Sequence, residues 1–281
     1  MEKERRKQLL FADVETDAKC KKDQEYKRAQ RILQLAWELC DGVTGEVLSR
    51  QNHFVKPMQR QEPLDFASAG GGGREEEKES WSKKNRVSLR DLEEKGKPIQ
   101  DVLSALAQDI LAGDTLLCVG HQITFDAHCV LSALKECVLP AEHSSSLRDT
   151  FTTKLFCTMK NGKKLCKTEQ VRASSLSSLA SKSHMSLDDL HSCLSLTAAA
   201  PLPCIDKEKR HDAAYDVELT RICFFEAINQ KIWSLPNGEE PEQEKPQRKR
   251  FRFSDFSKAM QLAQAKRASV PVPVRSTPPA K

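Results

Sequence analysis

The order of apolar segments predicts an α/β fold in which a mixed sheet carries helices on both faces. Three observations lead there. Residues 9–16, LLFADVET, are apolar on both sides until Asp13, as in a central strand covered on two faces. Two further strand-like runs follow, separated by a short turn. Beyond them, segments of helical period alternate with short apolar runs. With 281 residues, 38% of them hydrophobic, the chain can form one domain of roughly 150 to 230 residues plus unpacked segments.

Each element has its own reason. After the first strand, KCKKDQEYKRAQR is too charged to pack and reads as an exposed loop. ILQLAWELCD from Ile32, the turn at Gly42 to Gly45, and EVLSRQNHFVKP ending at Pro57 form a hairpin, so the first three strands make a meander. Residues 58–95, with Gly70 to Gly73 and then REEEKESWSKK, read as a flexible insertion. No Gly-Lys-Ser/Thr follows the four glycines, which argues against a phosphate loop. Ile99, Val102, Leu103, Leu106 and Ile110 fall on one stripe of an amphipathic helix. TLLCVGH is a buried strand, and FDAHCVLSALKE a helix. A further strand is expected around Thr152 to Met159, and a short helix in SSLSSLASKSH. HDAAYDVELTRICFFEAINQKIW is a long, mostly apolar helix. The domain thus spans residues 1–235, and residues 236–281 form a Pro-rich, basic, disordered tail.

Composition narrows the function classes. No apolar run approaches the ~18 residues of a membrane-spanning helix, so no membrane partner is expected. The start, MEKERRKQLL, lacks the pattern of a secretory signal. Ten scattered cysteines without a C-x-x-C pair point to reduced thiols and an intracellular chain, nuclear or cytoplasmic. Arg248-Lys249-Arg250 suggests nuclear import. From Lys231 onward there are 11 Lys or Arg against 5 Asp or Glu, so the tail is basic and attracts polyanions. Phe253, Phe256, Met260 and Ala263 share a helical stripe there, a possible dock for a protein partner or a fraying amphipathic end.

Four carboxylates stand where the apolar pattern does not call for them. Asp13 and Glu15, two apart on a strand, leave the same face about 7 Å apart. They stand at the carboxyl end of a central strand, where open α/β sheets bind ligands. Asp126 opens a helix at a second strand exit, as a functional group or as that helix's N-cap. His121 and His128 flank it and read equally well as ordinary core or surface histidines. His211 and Asp216 are about 140° apart on a regular helix, but Asp212 as N-cap puts His211 in the preceding loop and turns Asp216 inward. A buried carboxylate needs a cation or hydrogen-bond donors. If Asp13, Glu15, Asp126 and Asp216 converge, two divalent cations would offset their charge, and all-oxygen ligands favour Mg²⁺ or Mn²⁺ over zinc.

FADVETD, GHQITFD and HDAAYD, in this order and spacing, resemble the three motifs of the DEDDh 3′→5′ exonucleases, the DnaQ-like family that includes a proofreading subunit of the bacterial replicative polymerase. The similarity covers about residues 8–230. It implies an RNase H-like exonuclease fold with a mixed five-stranded sheet flanked by helices. It also implies that Asp13, Glu15, Asp126 and Asp216 bind two Mg²⁺ or Mn²⁺, that His211 is the general base, and that Thr16 and Gln122 lie against the substrate. Asn85-Arg86-Val87-Ser88 stands where relatives commonly have His-Gly-Ile-Thr. The expected activity is hydrolysis of the terminal phosphodiester at single-stranded 3′ ends, DNA or RNA, releasing nucleoside 5′-monophosphates. A catalytically silent nucleic-acid-binding module is the alternative, and the retention of mutually repelling carboxylates argues against it.

Overall fold

The computed structural model describes residues 6–16, 31–56, 87–165, 168, 171, 173–182 and 184–235. β1 (Lys7–Thr16), β2 (Ile32–Asp41) and β3 (Val47–Phe54) form the expected antiparallel meander. Gly45, at φ +75°, closes its turn in a conformation that a side chain disfavours. β4 (Asp114–Gly120) lies parallel to β1 on its other side, and β5 (Leu155–Cys157) parallel to β4. The order β3-β2-β1-β4-β5 makes β1 the middle strand. Leu9 to Ala12 are therefore buried on both faces, as the unbroken apolar run required.

Alternation along β1 assigns those faces. Leu10, Ala12 and Val14 join Leu35, Trp37 and Leu39 in the larger core, covered by α2 (Ile99–Leu111), α3 (Ile123–Leu134) and α4 (Ala141–Thr153). The stripe read from α2 is buried as expected. Within this core the Trp37 Nε1–H donates to Asp109 Oδ2 at 2.7 Å, satisfying a fully buried indole. Leu9 and Phe11 face the other way, against Val217 and Phe224 of α7 (Ala213–Asn229). Phe224 meets Phe11 and Phe156 edge-on, with centroids 5.5 and 5.2 Å away. Truncating so central a ring to alanine costs about 3–5 kcal/mol. α5 (Thr158–Leu165) and α6 (Leu187–Ser195) complete a smaller core with the far side of α7.

The structure corrects several readings. The insertion expected over 58–95 is folded at its C-terminal end: Ser88 caps α1 (Leu89–Lys95), and Val87 and Leu92 pack against Leu33. Residues 57–86 lie outside the described residues, as do the tail at 236–281 and the stripe within it. The strand expected around Thr152 to Met159 shrinks to β5, flanked by helix on both sides. The short helix expected in SSLSSLASKSH is a 3-10 turn at Ser177–Ser181. Three helices that the apolar pattern did not reveal, α4, α5 and α6, are present.

Candidate active site

The site forms where β1 and β4 end. Phe11 pairs with Val119, so β4 stops at Gly120 beside Ala12, and the chain turns into α3 level with Asp13. Gly120 permits that close turn, since a Cβ there would lie 2.9 Å from the Ala12 carbonyl oxygen. Asp126 is the fourth residue of α3, and Gln122 occupies the N-cap, so the capping role considered for Asp126 is excluded. The backbone N–H groups of Val14 and of Asp126 itself bond to its carboxylate. Its other oxygen, Oδ2, is buried and has no hydrogen-bond partner.

α7 supplies the third side. Asp212 caps it, accepting from the Ala214 and Tyr215 N–H groups, as the sequence led us to expect. Gln34, which pairs with Glu15 across β1 and β2, anchors this cap. Its Nε2 donates to Asp212 Oδ2 at 3.3 Å, and its Oε1 accepts from the Ala213 N–H at 3.3 Å. One turn on, Asp216 is nearly buried, at 8% exposure. His211 precedes the cap in the left-handed region at φ 66° and is exposed. One ligand atom each from Glu15, His211 and Asp216 lies within 4.8 Å of the other two, close enough to share an ion.

Charge dominates this pocket. Burial, and after it the Asp126 and Glu15 carboxylates, hold the Asp13 carboxyl well above its usual range. Glu15 is pushed up to about 8 by burial and then by Asp126 and Asp212. Burial pushes Asp126 up to about 7, against the pull of its backbone hydrogen bonds. Each shift says first that burial disfavours the ionised form, and for Asp13 and Glu15 that neighbouring carboxylates add to it. The residues thus fit a divalent cation by two criteria: an orphaned buried oxygen on Asp126, and a donor set of hard oxygens with one imidazole.

Thr16 ends β1, buried, and Gln122 is exposed at the mouth of the turn into α3. His121 is structural. Its Nε2 stands 2.9 Å from the Met185 carbonyl, which only accepts, so Nε2 carries the proton and Nδ1 accepts from Thr158 Oγ1 at 3.1 Å. Burial lowers its pKa, consistent with a neutral ring. His128 is exposed on α3.

The site also contains a cation that pattern reading passed over. Arg210 donates from Nη1 to Asp216 Oδ1 and from Nε to Asp188 Oδ1 of α6, the latter at 2.7 Å. Its guanidinium lowers the pKa of both Asp13 and Glu15. The available signal was its place immediately before His211 in an otherwise acidic motif, and Asp188 lay in a helix not read from the sequence.

Neither a protein-family model nor a curated protein matches the chain by sequence. Solved structures do match by shape. Exonuclease I aligns with a TM-score of 0.52 and 12% identity over 80% of this chain. E. coli Exonuclease I in complex with a dT13 oligonucleotide also aligns at 0.52 and 12%, over 79% of this chain and 41% of its own. The same enzyme with a dA16 oligonucleotide aligns at 0.50 and 12%, over 80% of this chain. The chain spans about 42% of the length of Exonuclease I. The five-stranded mixed sheet flanked by helices is the architecture that the three motifs implied, and the chain shares the fold of the matching part of Exonuclease I.

Proposed function

We propose that this protein is a metal-dependent 3′→5′ exonuclease that removes nucleoside 5′-monophosphates from single-stranded DNA or RNA ends. The observation that supports the reading is that Glu15, His211 and Asp216 offer ligand atoms within 4.8 Å of one another, while Asp126 lies near enough to Asp13 and Glu15 to raise the pKa of both. A group of carboxylates this short of counter-charge is costly unless it serves to bind cations.

The four carboxylates would hold two Mg²⁺ or Mn²⁺ ions, with the orphaned Asp126 Oδ2 an available ligand atom. Ions held there would supply acidification of a water and charge to offset the leaving oxygen. His211, exposed on its loop, accepts the proton of the attacking water at a ring nitrogen. The water oxygen bonds to the last phosphorus, the bond to the preceding 3′ oxygen breaks, and that oxygen takes up a proton. Thr16 and Gln122, beside the two strand ends, contact the terminal nucleotide.

The test is digestion of matched 5′-labelled DNA and RNA strands with Mg²⁺ or Mn²⁺, then with chelator, alongside Asp13→Ala and His211→Ala. A ladder shortening from the 3′ end, abolished by chelator and by either substitution, is the expected result. Binding without shortening at any metal concentration replaces this reading with that of a silent nucleic-acid-binding module.

A further inference from the structure

Resting on the metal-binding reading above, we propose that Arg210 is a resident counter-cation of the carboxylate site and that divalent metal binds in competition with it. The guanidinium bridges two helices: Nη1 donates to Asp216 Oδ1 on α7, and Nε to Asp188 Oδ1 on α6. The Arg210 side chain is only 15% exposed, so its contact with Asp216 is poorly screened by water. It also acts on Asp13 and Glu15, whose ionised forms it favours.

The loop holds Arg210 there by construction. Asp206 caps the 3-10 turn Lys207–Lys209, and its own N–H donates to the Tyr215 hydroxyl at 2.7 Å, so the loop is tied to the first turn of α7. Asp212 closes the other end, its N–H donating to the Lys209 carbonyl. Arg210 and His211 form the tip between these two anchors.

A cation that needs Asp216 must displace Nη1 from it. The Nε bond to Asp188 is separate and survives that exchange, because Asp188 lies on a different helix from the four carboxylates. Arg210 is therefore a positioning residue that lets the acidic pocket fold without metal and sets how much metal it needs.

Manganese binding to the full chain, followed by the loss of the free-ion electron paramagnetic resonance signal at neutral pH, tests this without reference to activity. Arg210→Ala is expected to bind Mn²⁺ at least ten-fold more tightly than wild type and to have a lower thermal midpoint in chelator. Millimolar guanidinium added to that variant is expected to weaken Mn²⁺ binding again, while leaving wild type unchanged, a rescue that a purely architectural role would not produce. Arg210→Lys, which keeps the charge but cannot span both carboxylates, is expected to bind two- to five-fold more tightly than wild type and reads out the competition if the alanine variant does not fold. Wild type that binds Mn²⁺ with an affinity unchanged or weakened in both variants overturns the competition alone. Wild type that binds no Mn²⁺ overturns the metal reading of the site, and this inference with it.

Discussion

Two buried carboxylate clusters sit on the same face of the sheet, under the same helix, and they are balanced differently. At Glu38 on β2, 1% exposed, two guanidinium groups close on one carboxylate: Arg50 Nε at 2.7 Å from β3, and Arg221 Nε at 2.5 Å from α7. Glu218 lies 3.9 Å from both, so this cluster is neutral within itself. On the neighbouring strand, Asp13 and Glu15 feel the Arg210 guanidinium, which pairs with Asp216 and is partly engaged by Asp188. The first cluster is balanced in charge as folded and holds α7 to the meander, although Glu38 Oε1, at ion-pair distance from Arg50, makes no hydrogen bond. The second is left negative and completes itself only by taking up protons or cations. Ion pairs alone therefore do not mark a site; the deficit of counter-charge does.

The sharpest way to break this comparison is to make the same chemical change in both clusters. Asp126→Asn removes one repelling charge: 3′-end shortening should fall at least a thousand-fold while the thermal midpoint in chelator rises by several degrees. Glu38→Gln strips two arginines of their partner, and it should destabilise by about 2 kcal/mol, discounted because Arg50 is half exposed. Its metal requirement should not change. Thermal melts with and without chelator, read beside the digestion assay, decide; equal signs in the two melts would dissolve the distinction.

pH should sharpen it further. Glu15, at about 8, and Asp126, at about 7, titrate above the ordinary carboxylate range in the fold, so the folded chain binds more protons than the unfolded one between roughly pH 4.5 and 8. Their contribution is present below that window and is lost as pH rises through it. In chelator, the midpoint of wild type relative to Asp126→Asn should fall from pH 5 to pH 8. Added Mg²⁺ should oppose that fall most at the alkaline end, where ionised ligands await it. A difference that stays flat or rises would mean that the pocket is already balanced.

The smallest expected effect lies at the rim. Lys160 of α5 places Nζ 3.4 Å from Thr124 Oγ1, in the same turn of α3 as Asp126. Lys160→Ala should raise the KM for a single strand two- to five-fold and flatten its salt dependence by about 0.7 in log–log slope, as for one lost phosphate contact. The thermal midpoint should stay put.

Legibility from the sequence followed how local each signal was. β2 is a mostly apolar run, interrupted by Gln34 and Glu38, between charged segments, and the α7 cap is a single aspartate before an apolar run; both stand where they were read. α4 escaped because AEHSSSLRDTFTT buries only Leu147, Thr150 and Phe151, too sparse a stripe for periodicity. α6 is short, and its start is marked not by apolar spacing but by a capping box, Ser186 with Asp189. The packed end of the segment read as an insertion rests on two residues, Val87 and Leu92, that only Leu33 and Phe54 make into a core.

The chain itself determined which residues alternate along β1, and hence that Asp13 and Glu15 leave the same face as Leu9 and Phe11; such alternation depends on neighbours two positions away. It also determined the cap that turns Asp216 inward. Tertiary structure alone decided that Arg50 and Arg221 neutralise Glu38, that Arg210 and Asp188 reach into the acidic pocket, and that Asp126 keeps an oxygen unpartnered. Charge balance depends on distance through space and on exclusion of water, and residues far apart in the chain acquire both only when the sheet and α7 close on one another.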